Sequence, residues 1–306
     1  LFRFARAQSV INVGGVKMGG QPGELPTVLC GTIFYHGHKI LQDEDKGLFD
    51  AVKAEQLLVR QAELSEETGN PSVVHIFART GQAFLRYLDF VESMWDGPLI
   101  IDSSDADTRS YMAQTVSEVG YADRSIYNSI SVALSSRERE ALRDSEVDSA
   151  ILLAYNPMDS GVDGRIKILV EGGAGLESGL LPLAEELGMA NLLLDPGVSP
   201  LGSGAGSALR FSVVAKARFG LPVGSGMHNA ASSWGWLKGR GMAAKCCDAS
   251  ASALQQLAGG DFVLYGPIEN ADIAFPVTAM VDMMVAEAVR DLEVFPQPGH
   301  PIFRLA

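Results

Sequence analysis

The sequence predicts an α/β protein built as a single (β/α)8 TIM barrel with a short N-terminal extension. Short apolar runs of strand type alternate with longer segments of helical period. The alternation repeats eight times over about 270 residues, the count of such a barrel. No linker rich in Pro, Gly or Ser divides the chain, so residues 1–306 read as one domain, with a flap over 1–26 and the barrel over 27–306. A doubly wound open sheet is the main rival architecture.

The strand-type runs are Thr27–Phe34, Ser72–Phe77, Pro98–Asp102, Arg124–Asn128, Ala150–Asn156, Asn191–Asp195, Leu221–Met227 and Asp261–Gly266. Between them, "KGLFDAVKAEQLLVRQAEL", "TGQAFLRYLDFVESM", "DTRSYMAQTVSEV", "SALRFSVVAKARF" and "FPVTAMVDMMVAEAV" place apolar residues at three- and four-residue steps. That spacing gives a helix one buried face. The crossing between the seventh and eighth runs is longer and includes "GRGMAAKCCDASASALQQL".

Composition bounds the partners. The chain has 306 residues, is 47% hydrophobic and carries a net charge of −13 without a Lys/Arg cluster, which argues against broad nucleic-acid binding. Three cysteines, two of them adjacent, form neither a disulfide framework nor a C-x-x-C knuckle, so a reduced cytoplasmic setting is expected. "LFRFARAQSV" lacks the apolar core of a signal peptide, and Asp282 and Glu287 break the longest apolar windows, so no membrane insertion is expected. A homodimer is the default oligomer.

In a barrel of this kind the chemistry sits where the strands end. The polar residues that finish the runs are Asp102, Asn128, Asn156, Asp195 and Asn229, with Glu269 and Asn270 after the eighth. Any one of them could simply cap the next helix or start a turn. Five at successive strand ends would converge on one cavity. Carboxylates accept paired N–H donors while carboxamides donate and accept, which suits a flat heterocycle such as a pterin or a nucleobase.

Other candidates carry less. His36 and His38 in "IFYHGH" are how several barrel hydrolases open a metal site, but no histidine follows the fifth or sixth run. The expectation is no bound metal, with both histidines at the rim. "LGSGAGSAL" reads as a tight turn opening a helix, "KCCD" as buried helix, and Trp234 and Trp236 either as packing or as a surface for a partner. Arg79, Lys39 and Lys238 read as solvated surface and His75 as a core imidazole, while His228 lies beside Asn229.

The run "GGVKMGGQPGELPTVLCGTIFYHGHKI", with "GNPSVV", "IIDSS", "YNSIS" and "LAYNPMD", resembles the H subunit of tetrahydromethanopterin S-methyltransferase and its bacterial relatives. "PLGSGAG", "GLPVGSGMHNAASSW" and "DFVLYGPIENA" carry the resemblance to the end of the barrel. More distantly, the strand-end Asp and Asn set is similar to methyltetrahydrofolate:corrinoid methyltransferases. The resemblance implies methyl transfer, in one-carbon metabolism, between N5 of a reduced pterin and the cobalt of a corrinoid, a cobalamin-type cofactor carried by a separate protein. Asp102, Asn128 and Asp195 would hold the pterin edge, Asn156 would be a further substrate contact, and the catalytic Asn229 would lie beside N5. The fold is also similar to dihydropteroate synthase, but "GSGMHN" and "YGPIEN" lack that enzyme's lysine and Arg-x-His. No D-x-H-x-x-G corrinoid motif is present, so the corrinoid protein would dock over the barrel mouth. Tetrahydrofolate is the favoured carrier. The alternatives are a methyltetrahydromethanopterin-using subunit of a membrane complex and a non-catalytic subunit that docks the corrinoid protein.

Overall fold

A computed structural model describes residues 2–306. The chain opens with an antiparallel hairpin, β1 (Val10–Val13) and β2 (Val16–Gly19). Gly14 and Gly15 make its turn at φ of 53° and 83°, and a Cβ on Gly14 would lie 2.9 Å from that of Arg124. Only glycine meets both demands there. β3 (Val28–Ile33) starts the barrel; β4 (Leu41–Asp43) and β5 (Leu48–Phe49) form a small ribbon beside its mouth-side loop.

α1 (Ala51–Thr68), β6 (Ser72–Phe77), α2 (Gly81–Glu92), β7 (Leu99–Asp102), α3 (Ala106–Glu118) and β8 (Ser125–Ile130) follow. α4 (Ser136–Asp144), β9 (Ser149–Leu153), α5 (Val162–Val170), α6 (Leu180–Glu186), β10 (Asn191–Asp195) and α7 (Ala205–Phe219) come next. β11 (Gly224–Ser225), α8 (His228–Ser232), α9 (Gly241–Leu257), β12 (Phe262–Pro267) and α10 (Ala271–Ala288) complete the order. Side-chain caps start the early helices: Asp50 accepts from Lys53 N–H, Thr80 from Ala83 N–H, Asp105 from Thr108 N–H, and Ser135 forms a capping box with Glu138.

The eight-stranded sheet runs β10-β9-β8-β7-β6-β3-β12-β11, all parallel. A parallel bridge between Leu194 and Val223 joins its two edges and closes the ring. The barrel interior is packed at its lower end by Val28, Cys30, Val73, Ile100, Ile126, Ile151, Leu193 and Phe262. Ile11, Val13 and Met18 of the hairpin join that cluster, so the segment expected as a flap plugs the bottom of the barrel, opposite the mouth. A larger apolar layer seals strands to helices, from Ile33 and Phe84 round to Phe211 and Val223. No described helix is long and apolar enough to cross a membrane.

Two strands depart most from their expected runs. β9 ends at Leu153, three residues before Asn156, because its partner β10 ends at Asp195 opposite Leu153. β11 keeps only Gly224 and Ser225 of Leu221–Met227; Pro222 has no N–H to give the ladder, and Gly226 turns the chain into α8.

Candidate functional site

The C-terminal strand ends surround a cavity of about 400 Å³ whose lining includes Thr32, Tyr35, His75, Asp102, Asn128, Asp195, His228 and Asn229. Parallel register sets the first part of it. Asp102 ends β7 directly opposite Asn128 on β8, and Thr32 on β3 lies opposite His75 on β6. Asn128 donates from Nδ2 to Asp102 Oδ2 at 3.1 Å, which leaves its own carbonyl free to accept. His75 Nε2 also meets Asp102 Oδ2, at 2.9 Å, while its Nδ1 lies 3.0 Å from the Thr32 hydroxyl. A carboxylate can only accept, so Nε2 carries a hydrogen; in the neutral ring Nδ1 then accepts from the Thr32 hydroxyl. Asp102 is thus held on one oxygen; its Oδ1 takes no protein donor among the described residues.

Asp195 faces the site from β10 and is held differently. Its Oδ1 accepts from Gly197 N–H at 2.7 Å. Burial pushes its carboxyl up to about 7, with the Gly197 N–H and the charge of Arg165 pulling the other way. Arg165 is fully buried on α5 and donates to the carbonyls of Pro196 at 2.7 Å and Gly197 at 3.0 Å, as well as to Ser160 and Gly161. Arg109 on α3 does the same for the other carboxylate: it binds the carbonyl of Ser103, next to Asp102, and pairs with buried Glu138 at 2.7 Å. Each site carboxylate therefore precedes a backbone segment clamped by an arginine from a helix behind the sheet.

Asn229 sits in the first turn of α8, and a Cβ on Gly226 would come within 2.8 Å of its Nδ2. His228, beside it, is buried enough for its pKa to fall to about 4. Its ring lies against Gly266, where a Cβ would meet Cε1 at 2.5 Å.

The structure brings Asp102, Asn128, Asp195 and Asn229 to one cavity and leaves Asn156 out of its lining. Lying beyond the end of β9, the Asn156 amide donates to Gly164 O at 3.1 Å and its carbonyl accepts from Met158 N–H at 2.9 Å. It shapes its own loop. His75, read from the sequence as a core imidazole, instead orients Asp102 at the cavity wall; a histidine inside the apolar "SVVHIF" was the available signal.

The two histidines of "HGH" part company. His36 is exposed and meets Glu44 at 2.7 Å. His38 is buried, accepts from Phe34 N–H at 3.1 Å through Nδ1, and brings Nε2 to 3.0 Å from a Glu269 oxygen in a poorly aligned contact. The Tyr35 ring stacks on His38 and its hydroxyl donates to Glu269 at 2.9 Å. Burial works against ionised Glu269, yet His38 and Tyr35 hold its pKa below the ordinary value. No three His, Cys, Asp or Glu side chains converge at metal-ligand spacing among the described residues. "KCCD" lies on α9 with Cys246 exposed rather than buried. Trp234 and Trp236 stack at 4.9 Å on the rim, with Arg240 lying 4.1 Å over the second ring.

Residues 6–297 match the family described as tetrahydromethanopterin S-methyltransferase MtrH subunit. The chain belongs to that family. It is 48% identical to the tetrahydromethanopterin S-methyltransferase H subunit of Methanothermobacter thermautotrophicus over 100% of both chains. It is 46% identical, again over 100% of both, to the corresponding H subunit of Methanocaldococcus jannaschii. A protein of Methanosarcina acetivorans named as the H subunit of a methyltransferase, mtx, is also 48% identical over 99% of both chains. Among solved structures, a Yersinia pestis dihydropteroate synthase bound to a pterine-sulfa conjugate shares the fold with a TM-score of 0.62 at 16% identity, covering 94% of this chain and 100% of that one. The Xanthomonas albilineans synthase with 7,8-dihydropteroate gives 0.59 at 18%, covering 92% and 98%.

Proposed function

We propose that the mouth cavity binds a methylated tetrahydromethanopterin and that the chain passes its N5 methyl group to the cobalt of a corrinoid on a partner protein. The observation that carries this is the convergence of Asp102, Asn128, Asp195 and Asn229 on one cavity. Ionised Asp195 accepts paired N–H donors of the pterin's amino-pyrimidine edge, while Asp102 and the Asn128 carbonyl serve neighbouring donors. Asn229 lies beside N5. The relatives named for tetrahydromethanopterin favour that carrier over the tetrahydrofolate expected from the sequence.

A tertiary amine is a poor leaving group, so methyl departure from N5 needs positive charge or a hydrogen bond that strengthens in the transition state. The Asn229 amide donates toward the N5 lone pair and, once rotated, its carbonyl accepts from protonated N5. The corrinoid protein seats on the rim, where Met158, Leu201, Trp234 and Trp236 expose apolar surface around the mouth. The test is a side-by-side assay of cob(I)alamin methylation by methyltetrahydromethanopterin and methyltetrahydrofolate. Faster transfer from the first is expected; transfer from neither removes the enzyme reading in favour of a docking role.

A further inference from the structure

Methyl departure consumes a proton at N5, and the reaction proposed above, on which this inference rests, does not name its source. Behind the mouth lies a second, smaller cavity of about 40 Å³, walled by α8, α9 and α10. His228 is the one described residue that lines both cavities. Its place is built. Glycine at 266 leaves room for the imidazole, since a Cβ there would stand 2.7 Å from Nε2. A Cβ on Gly226 would lie 2.8 Å from Asn229 Nδ2 and 3.6 Å from His228 Nε2, so the amide and the imidazole flank one point of the mouth.

The rear cavity supplies the other half. Asp248 reaches it from α9, and its Oδ1 is buried without a hydrogen-bond partner. Burial raises the Asp248 pKa, which favours its protonated form relative to a solvated carboxyl, and lowers that of His228 to about 4, so the ring rests neutral. A neutral imidazole carries one N–H and one lone pair, and can accept at one nitrogen while releasing at the other. The other titratable groups that share its cavities are Lys245 and Tyr265 behind, and Tyr35, His75, Asp102 and Asp195 in front. A space of this size accommodates a water between Asp248 and the ring.

We propose that His228 carries the proton to N5, fed from Asp248 through the rear cavity, while Asn229 orients the N5 lone pair. The Asp248 carboxyl gives its proton by way of water to one ring nitrogen, and the other ring nitrogen gives its proton to N5. The N5–CH3 bond then breaks, its electron pair returns to nitrogen, and the methyl bonds to Co(I), which becomes methyl-Co(III). The pterin leaves with N5–H, and Asp248 regains its proton from solvent.

The test uses the whole chain with methyltetrahydromethanopterin as donor and cob(I)alamin as acceptor. Wild type that forms no methylcobalamin overturns the methyltransferase reading itself. Given wild-type transfer, His228→Ala is expected to slow the single-turnover rate about 10²-fold, with pterin Kd within about threefold, and millimolar imidazole should restore much of the loss. His228→Gln, which keeps a polar side chain but cannot carry a proton, should be equally slow if the alanine variant fails to fold. Asp248→Asn, away from the pterin, should slow transfer with unchanged Kd. Near-normal transfer by the His228 variants, or a loss that imidazole leaves untouched, overturns the proposal while the methyltransferase reading stands.

Discussion

Asp195 is a carboxylate whose ordinary preference has been reversed. In the folded chain it holds its proton up to about pH 7, while the unfolded chain releases it near the ordinary 3.8. The folded state therefore binds more protons between those values, so stability falls as pH rises through that window and the deficit persists above it. Asp195→Asn should raise stability at pH 8 by about 1–2 kcal/mol, water in the open cavity screening part of the cost, and should change nothing near pH 4. Thermal melts at both pH values check this; equal shifts at each would refute the burial argument. In the proposed complex the same ionisation governs pterin binding. Pterin donors need the carboxylate, so affinity should weaken below pH 7 by about tenfold per pH unit, measured by calorimetry. In the proposed reaction Asn229 has a different role: Asn229→Ala should cut methyl transfer about 10²-fold, the scale of losing one donor aimed at the reacting atom, with little change in pterin Kd.

At the scale of elements, the barrel divides labour between its ends. The hairpin β1–β2 packs Ile11, Val13 and Met18 into the lower interior, whereas the site lies at the opposite ends of the strands. Met18→Ala should cost about 2–5 kcal/mol in urea unfolding and leave the pterin Kd unchanged. Arg165 works the other way, because its guanidinium ties the loop before α5 to the residues following Asp195. Arg165→Met leaves the carbonyls of Ser160, Pro196 and Gly197 without the guanidinium that binds them, and it removes a positive charge near Asp195. A loss of about 3 kcal/mol in stability is expected, together with a higher midpoint for the pH dependence of pterin binding. Loss of stability without that midpoint shift would make Arg165 structural only.

For the whole molecule, the cavity opens through a rim that exposes Met158, Leu201, Trp234 and Trp236, while His38, Tyr35 and Glu269 lock the β3 loop to the end of β12. In the proposed reaction, a corrin carried by a partner would reach N5 from this side. Trp236→Glu should weaken methyl transfer to a corrinoid protein at least tenfold while sparing transfer to free cob(I)alamin, since only the former uses the rim. Equal losses with both acceptors would place Trp236 in the site rather than on the docking surface.

The strand-and-helix alternation and the strand-end positions of Asp102, Asn128, Asp195 and Asn229 were legible in the sequence. Apolar period and the residue that interrupts it are local properties, and a parallel barrel turns strand ends into one neighbourhood. The rest depended on contacts between residues far apart in the chain. Asn156 carries the same side chain as its neighbours, but β9 stops short and the amide turns into its own loop. His75 gained its role only when register set it between Thr32 and Asp102. The arginine clamps, the shift of Asp195 and the second cavity behind His228 arise from burial and long-range packing. The sequence by itself therefore determined the barrel and most of the groups facing its mouth; the tertiary structure decided how each is held and charged, because hydrogen-bond partners and desolvation exist only once distant segments meet.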